Sequence, residues 1–464
     1  MTALLEQLKR IVGPQGWTSD AGDMEPHLVD WRGSYRGLAP IIVKPATTEE
    51  VVEVVKACAA ASVSIVPQGG NTGLCGAATP DESGDQVLLS LCRMNRVRGV
   101  DAENFSMEVE AGCILAVAQD AARAAGRFLP LSLGAEGTCQ VGGNISTNAG
   151  GLNVGRYGTA RSLVLGLQVV LADGTVLDSL RSLRKDTAGY DLKQLFIGSE
   201  GTLGIITAAV LRLYPDPGET ATALVGLGSA SSAVALLASM KDRLSDRIES
   251  FELLPSRVFS LVAKHIPDAK LPFAIDHPWY VLIESATSDA PGVLEEALLS
   301  EAESGAILDA VVAKNASEGE ALWRVRHAIA EAEKKEGRAL KHDISVPLSN
   351  MEEFLRRGDE LLAKLRPDHE LVAFGHVGDG NLHYNVVLPR ELDDQAWRAE
   401  GLRITGAIYE LVDELGGSFS AEHGVGQAKK HWLAEYRGGS ELELMKSIKN
   451  ALDPANILNP GKVF

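Results

Sequence analysis

Two hydrophobic rhythms alternate along this chain, and their order already outlines an architecture. Apolar "IIVK", then "TTEEVVEVVKACAAA" with apolar residues every three or four positions, then apolar "VSIV" reads as strand, helix, strand from residue 40 onward. Thr47 and Glu50 form a capping-box pair that should start the helix. The opening "MTALLEQLKRIVGPQGW" mixes charged and apolar residues with helical spacing and lacks a continuous apolar stretch, so it reads as a surface helix and not as a signal peptide. "SLVLGLQVVLADGTVL" reads as strand-like, with a hairpin signal at Asp173 and Gly174. Near "YPDPGET" (214–220) two prolines and a glycine mark a boundary, after which helices alternate with strands: "SSAVALLASMKDRL", "YVLIES", "PGVLEEALLSEAE". A second α+β domain is therefore expected over 220–415, after a first domain over 1–219 and before a closing segment over 416–464. No internal repeat is visible.

Glycine is concentrated in two places that periodicity does not explain. "VSIV" runs into "PQGGNTGLCGAA", and a strand ending in such a loop offers backbone N–H groups with no side chains in the way, as a pyrophosphate requires. An ordinary glycine loop accounts for this stretch equally well. Neither the G-x-G-x-x-G fingerprint nor a P-loop occurs here, which disfavours a Rossmann dinucleotide fold and a nucleotide-phosphate loop. The second concentration, "GTCQVGGNISTNAGGLNVGRYGTA" (137–160), is interrupted by Thr138, Asn144, Ser146, Thr147 and Asn148 and followed at once by strong strands. Flexible linkers lack that texture, so these are expected to be loops held on a sheet and lining an extended ligand.

Bulk properties narrow the partners. At 464 residues and 45% hydrophobic content the chain can bury more than one core. A formal net charge of −18 without a basic block would repel nucleic acid and acidic membrane surfaces, so an anionic ligand needs a few local cations. Cys58, Cys75, Cys92, Cys113 and Cys139 are odd in number, lie in the first third and show no C-x-x-C spacing, which argues against a disulfide framework or an iron–sulfur cluster. A cytoplasmic setting fits. No apolar run approaches the roughly 20 residues needed to span a bilayer, although peripheral membrane contact stays compatible with the sequence.

The densest chemistry lies in "FGHVGDGNLHYNV" (374–386). His376 and His383 flank a "GDGN" turn that must bring them together, a spacing unlike that of a helical zinc motif. On the strand "HYNVV", His383 and Asn385 fall on one face, able to hold a metal ligand and a substrate hydrogen bond. In "FSAEHGVG" an extended segment would send Glu422 and His423 to opposite sides. A lone histidine beside glycine would be read as structural. Two imidazoles and a carboxylate with open positions instead suit a divalent ion such as Zn²⁺, with Mn²⁺ and Fe²⁺ as alternatives.

"PQGGNTGL", "GGNISTNAGG", "GSEGTLGI", "GHVGDGNLHYNV", "AEHGVG" and "DPANILNPGK" occur in that order. Together they resemble the FAD-linked D-2-hydroxyacid dehydrogenases of the vanillyl-alcohol oxidase superfamily, in particular the D-2-hydroxyglutarate and D-lactate dehydrogenases, from residue 40 to the C-terminus. The resemblance implies an α+β fold: a split FAD-binding domain of two α/β subdomains, plus a cap domain whose antiparallel sheet is covered by helices. It implies that Pro67, Gly69, Gly70, Asn71, Thr72, Gly73 and Leu74 wrap the pyrophosphate. Gly134, Thr138, Gly142, Gly143, Ser146, Thr147, Asn148 and Gly150 would extend the FAD bed, and Glu200, Gly201, Ile205, Ile206 and Asn459 would complete it. Some relatives bond the flavin covalently through a histidine in the first loop; Asn71 stands in that neighbourhood here, so the FAD should dissociate.

The same resemblance makes His376, His383 and Glu422 metal ligands, most simply for Zn²⁺, and His423 the catalytic base. It makes Asn385, Arg326 and Lys341 substrate-binding, the last two on the distal carboxylate of D-2-hydroxyglutarate. One departure stands out: Ala330 replaces a threonine that touches substrate in such enzymes. The other charges of "EAEKKEG", among them Lys334, Lys335 and Glu336, read as a solvated helix face. The implied reaction oxidises D-2-hydroxyglutarate to 2-oxoglutarate and passes electrons to a quinone or electron-transfer flavoprotein. A D-lactate dehydrogenase is the nearest rival, and a non-catalytic flavoprotein subunit or a flavin enzyme without net redox are remoter ones. A homodimer is compatible with the sequence.

Overall fold

The computed structural model describes residues 1–269, 275–286 and 290–464. Contacts divide them into two units, Met1–Gly151 with Gly158–Asp216 and Glu422–Phe464, and Leu152–Tyr157 with Pro217–Ala421.

The first unit carries two larger sheets. Strands Trp17–Thr18, Ile42–Val43, Val87–Ser90 and Ile65–Gln68 lie side by side in that order. Val87–Ser90 is parallel to both Ile42–Val43 and Ile65–Gln68. Ile42, Val43, Ile65, Val66, Val87, Leu88 and Leu89 are all fully buried, which is why these strands read as continuous apolar runs without alternation. Between two of them runs helix Thr48–Ala60, burying Val51, Val54, Val55 and Cys58 at helical spacing. Its start departs slightly from the expected box: Thr47 Oγ1 accepts from Glu50 N at 3.2 Å, but the Glu50 carboxylate reaches back to Ala46 N at 2.7 Å. The opening helix Thr2–Val12 buries Leu4, Leu8 and Val12 and leaves its other side to water.

The second sheet orders Val97–Asp101, Ser106–Glu110, Ile205–Arg212, Val164–Val170 and Val176–Ser179, antiparallel throughout. Its last two strands are the expected hairpin, with Gly174 at φ +82° and the Asp173 carboxylate accepting from Thr175 N at 2.8 Å. The glycine-rich stretch expected to be loop folds in part as a helix, Val141–Ser146. Gly142 there is fixed by crowding, since a Cβ would stand 2.6 Å from that of Ala111. The chain's last segment is sewn into the first sheet: Ile65 N donates to Ile457 O at 2.7 Å and Asn459 N to Ile65 O at 2.8 Å. Lys449 Nζ secures it from below, on Asp453 Oδ2 at 2.5 Å and Leu458 O at 2.8 Å.

The second unit is built on one seven-stranded antiparallel sheet. Its strands run Asp309–Val312, Thr220–Leu227, Trp279–Ala286, Ile248–Pro255, Glu370–His376, Asn381–Leu388 and Arg338–Ser345. Helices Ser256–His265 and Ala316–Glu336 share a core with the sheet through Leu254, Phe259, Leu282, Leu322, Ile329 and Phe374. Tyr384 points the other way and meets Phe354 of helix Met351–Leu365 edge-on at 5.0 Å. Among the described residues no helix is long and apolar enough to cross a membrane.

Candidate active site

In the first unit a cleft of about 80 Å³ opens where strand Ile65–Gln68 ends. Pro67, Gly69, Gly142, Gly143, Ser146, Thr147, Glu200, Gly201, Ile205 and Ile206 line it, so three separated glycine-rich motifs meet on one hollow. Gly70 must be glycine, because a Cβ there would stand 2.2 Å from Thr138 O. Gln68, Ala77, Ala78, Leu91 and Gly204 also line the cleft and were missed; their only signal was small size or adjacency to the motifs. Gly70, Asn71, Thr72, Gly73, Leu74, Gly134, Thr138, Asn148, Gly150 and Asn459 do not line it. The Asn148 side chain instead accepts from Arg161 N at 3.0 Å, and Gly150 packs on Glu422.

Two buried acceptors beside the cleft are left for a ligand to satisfy. Among the described residues, the buried oxygens Gln140 Oε1 and Asn459 Oδ1 meet no hydrogen-bond donor. Gln140 borders Gly69, and Asn459 Nδ2 is spent on Ala77 O and Glu200 O, both at the cleft. Asn71 turns its amide onto Val29 O at 2.8 Å and sits at φ +53°. Gly201, at φ +74°, has room for no side chain: a Cβ would meet Pro67 Cγ at 2.6 Å. Gly201→Ala should cost about 1–3 kcal/mol in the cleft wall and weaken FAD binding about tenfold or more. Fluorescence titration of the apoprotein with FAD checks this, and wild-type affinity in the variant would contradict it.

Glu200 is buried at φ +51°, and its carboxylate accepts Val425 N at 2.7 Å and Gly426 N at 2.8 Å. Burial raises its pKa, with the two N–H groups opposing. The side chain expected to serve the cofactor therefore clamps the turn that follows Glu422 and His423. Those two residues lie in a bend, so the alternation of an extended strand does not set their directions. Glu422 Oε1 accepts Gly151 N at 2.8 Å, because a residue without a side chain at 150 lets the carboxylate approach.

In the second unit the "GDGN" turn does what its glycines suggest. His376 ends one strand, Val377–Asp379 makes a single tight helical turn, and Gly380 at φ +80° starts the return. A Cβ at 380 would stand 2.2 Å from Val346 O, so only glycine closes it. The two imidazoles end up with ring centroids 5.5 Å apart at 80°. His383 pairs across the sheet with Phe374 on one side and Asp343 on the other, its Nδ1 3.9 Å from Asp343 Oδ1. Its neighbour two along, Asn385, donates to Glu333 Oε2 at 3.1 Å.

The cations expected to meet substrate are held by acids that sequence reading passed over. Arg326, only 9% exposed, gives its Nε to Glu252 Oε2 at 2.5 Å and lies over the Phe374 ring at 4.8 Å. Lys341 Nζ donates to Glu333 Oε2 at 3.1 Å. Glu252 is fully buried, and its other oxygen makes a short contact with His376 Nδ1. Burial alone would raise the Glu252 carboxyl, but the Arg326 guanidinium and the His376 ring outweigh it and hold the pKa below the ordinary carboxylate range. Its signal was a charge inside the otherwise buried strand Ile248–Pro255. Glu333 and Glu336 are not on a solvated face either: Glu333 is 1% exposed, and Glu336 binds Lys264 at 2.8 Å and also contacts His265. A cavity of about 340 Å³ bordered by Arg156, Lys241 and Glu249 reaches Glu252 and His376 from within this unit.

Comparison with known proteins identifies the family. Residues 216–463 match the family described as FAD linked oxidases, C-terminal domain, and residues 39–179 match the FAD binding domain family. The chain is 39% identical over 473 residues to the mitochondrial D-2-hydroxyglutarate dehydrogenase of Bos taurus, covering 99% of this chain and 83% of that protein. It is 35% identical to a putative mitochondrial D-lactate dehydrogenase of Schizosaccharomyces pombe, over 99% and 89% of the two chains. Its fold is that of a p-cresol methylhydroxylase crystal structure, with a TM-score of 0.77 at 17% identity over 100% of this chain and 96% of the other.

Proposed function

Because the chain belongs to the FAD-linked oxidases and resembles their D-2-hydroxyglutarate dehydrogenases along nearly its whole length, we propose that it oxidises D-2-hydroxyglutarate to 2-oxoglutarate with the aid of a divalent ion. FAD supplies the two-electron acceptor, and an ion, Zn²⁺ by its preference for imidazole and carboxylate, supplies positive charge beside the substrate's oxygens. His376 and His383 of the second unit and Glu422 of the first would hold that ion. The observation that carries the reading is the pair of imidazoles set 5.5 Å apart by a glycine-closed turn.

The chain's own part is orientation and proton handling. His423 takes the hydroxyl proton, a task suited to a ring whose ordinary pKa is near ~6.5. Arg326 uses Nε on Glu252 and directs its two terminal nitrogens at the distal carboxylate, where a guanidinium can make two parallel bonds. Lys341 and Asn385 complete that grip. The residues that line the cleft at the end of strand Ile65–Gln68 hold FAD without a covalent bond. Electrons leave to a quinone or electron-transfer flavoprotein, and we place the reaction in the cytoplasm, although the two relatives named above are called mitochondrial.

A D-lactate dehydrogenase is the second reading. It is favoured by the buried acids already bonded to Arg326 and Lys341, and by Ala330 on the same helix as Arg326. Anaerobic mixing of metal-analysed protein with D- and L-2-hydroxyacids separates the two. D-2-hydroxyglutarate should bleach the flavin at lower concentration than D-lactate, and L-acids should not bleach it. Preference for D-lactate selects the second reading, and a flavin that no D-2-hydroxyacid bleaches removes both.

A further inference from the structure

Arg326, Glu252 and His376 form a chain of contacts inside the second unit that the proposed reaction does not by itself require. Arg326 Nε donates to one oxygen of Glu252 at 2.5 Å, and the other oxygen takes His376 Nδ1. All three come from different elements: helix Ala316–Glu336, strand Ile248–Pro255 and the end of strand Glu370–His376. Register brings the last two together, since Glu252 pairs with His376 across the sheet. Phe374, two residues before His376, underlies the guanidinium and keeps it in plane with its work.

We infer that Glu252 and Arg326 are positioning residues for the metal: Glu252 fixes the tautomer and tilt of His376, and Arg326 fixes Glu252, so one arginine serves both the ion and the substrate's distal carboxylate. The inference rests on the metal reading above. Its chemistry is simple. An imidazole that gives its Nδ1 proton to a carboxylate carries its lone pair on Nε2, the nitrogen a metal can take, and the acid makes that nitrogen more basic. A carboxylate that is itself fully buried can keep its charge and direction only if something cationic holds its second oxygen. Arg326 is that group, and its planar fork leaves two terminal nitrogens for a ligand while Nε stays on the acid. A substrate carboxylate drawn onto those terminal nitrogens pulls on the same guanidinium that pins Glu252. Substrate and ion should therefore strengthen each other's binding, reciprocally.

Zinc affinity of the full-length FAD-loaded protein, measured by competition with a chromophoric chelator, tests this without recourse to turnover. Removing an orienting partner of a ligating histidine typically weakens metal affinity about 10–100-fold. Glu252→Leu should fall in that range, Glu252→Gln should retain part of the affinity, and Arg326→Met should resemble Glu252→Gln. Arg326→Lys, which keeps the charge, should recover part of the loss. FAD content and melting temperature report folding, and Glu252→Gln keeps the test decisive should Glu252→Leu not fold. In the Co²⁺-substituted protein the visible ligand-field bands should shift in the Glu252 and Arg326 variants. Adding 2-oxoglutarate should tighten zinc binding more in the wild type than in Arg326→Met. Folded Glu252→Gln and Arg326→Met with wild-type zinc affinity and unchanged Co²⁺ spectra overturn the inference alone. A wild type that binds no zinc overturns the metal reading and this inference with it.

Discussion

His383→Ala should strip the protein of stoichiometric zinc and lower kcat by about three orders of magnitude or more. The size follows from the several kcal/mol that a bound cation contributes at a developing alkoxide, converted at about 1.4 kcal/mol per tenfold in rate. The fold should survive. His383 sits within strand Asn381–Leu388, paired on both sides through backbone hydrogen bonds that an alanine keeps, and its ring lies at the sheet face beside Phe374 at 5.0 Å and His376 at 5.5 Å. FAD should remain bound, because the cleft proposed for it is lined by residues of the other unit. Metal analysis after dialysis and single-turnover flavin reduction are the measurements. A variant that keeps both its zinc and its rate would show that the paired imidazoles serve the fold.

The second large effect is expected at His423. Replacing it with asparagine, which keeps some hydrogen-bonding capacity but cannot accept a proton at neutral pH, should lower kcat by about 10²–10⁴-fold. The sign of the pH dependence is fixed by the role. With the neutral ring as the proposed base, wild-type flavin reduction should rise with pH through the imidazole range near ~6.5, and His423→Asn should lose that rise. Zinc and FAD contents should match the wild type, which distinguishes this variant from His383→Ala. A His423→Asn enzyme with the wild-type pH profile would assign the proton to another group.

Sequence was most informative where backbone chemistry is unforgiving. Gly380 has no alternative at φ +80° with Val346 O 2.2 Å from any Cβ, so the turn between the two histidines could be read from "GDGN" alone. Period two placed His383 and Asn385 on a common face, and helical spacing gave Thr48–Ala60 with its cap. The meeting of three glycine motifs at one cleft was likewise anticipated, since small residues beside strong strands have few other uses. What stayed hidden were partners supplied from afar. Glu252 and Glu333 are buried only because Arg326, His376, Lys341 and Asn385 arrive from other elements, and nothing adjacent in sequence announces a paired acid. Local signals also misjudged Val141–Ser146, where glycine tolerates a helix that packing on the neighbouring strand supports. Just after the bend at Glu422 and His423, Glu200, more than 200 positions earlier, holds Val425 and Gly426 through two backbone bonds.

The stitching of Ile457 and Asn459 onto Ile65 has a bearing on biogenesis. As the polypeptide leaves the ribosome, every strand of the seven-stranded sheet has been made well before Asn459 exists. That sheet can mature early, while strand Ile65–Gln68 waits for its last partner, with an open seam beside Ile65 and apolar Leu458 still to be delivered.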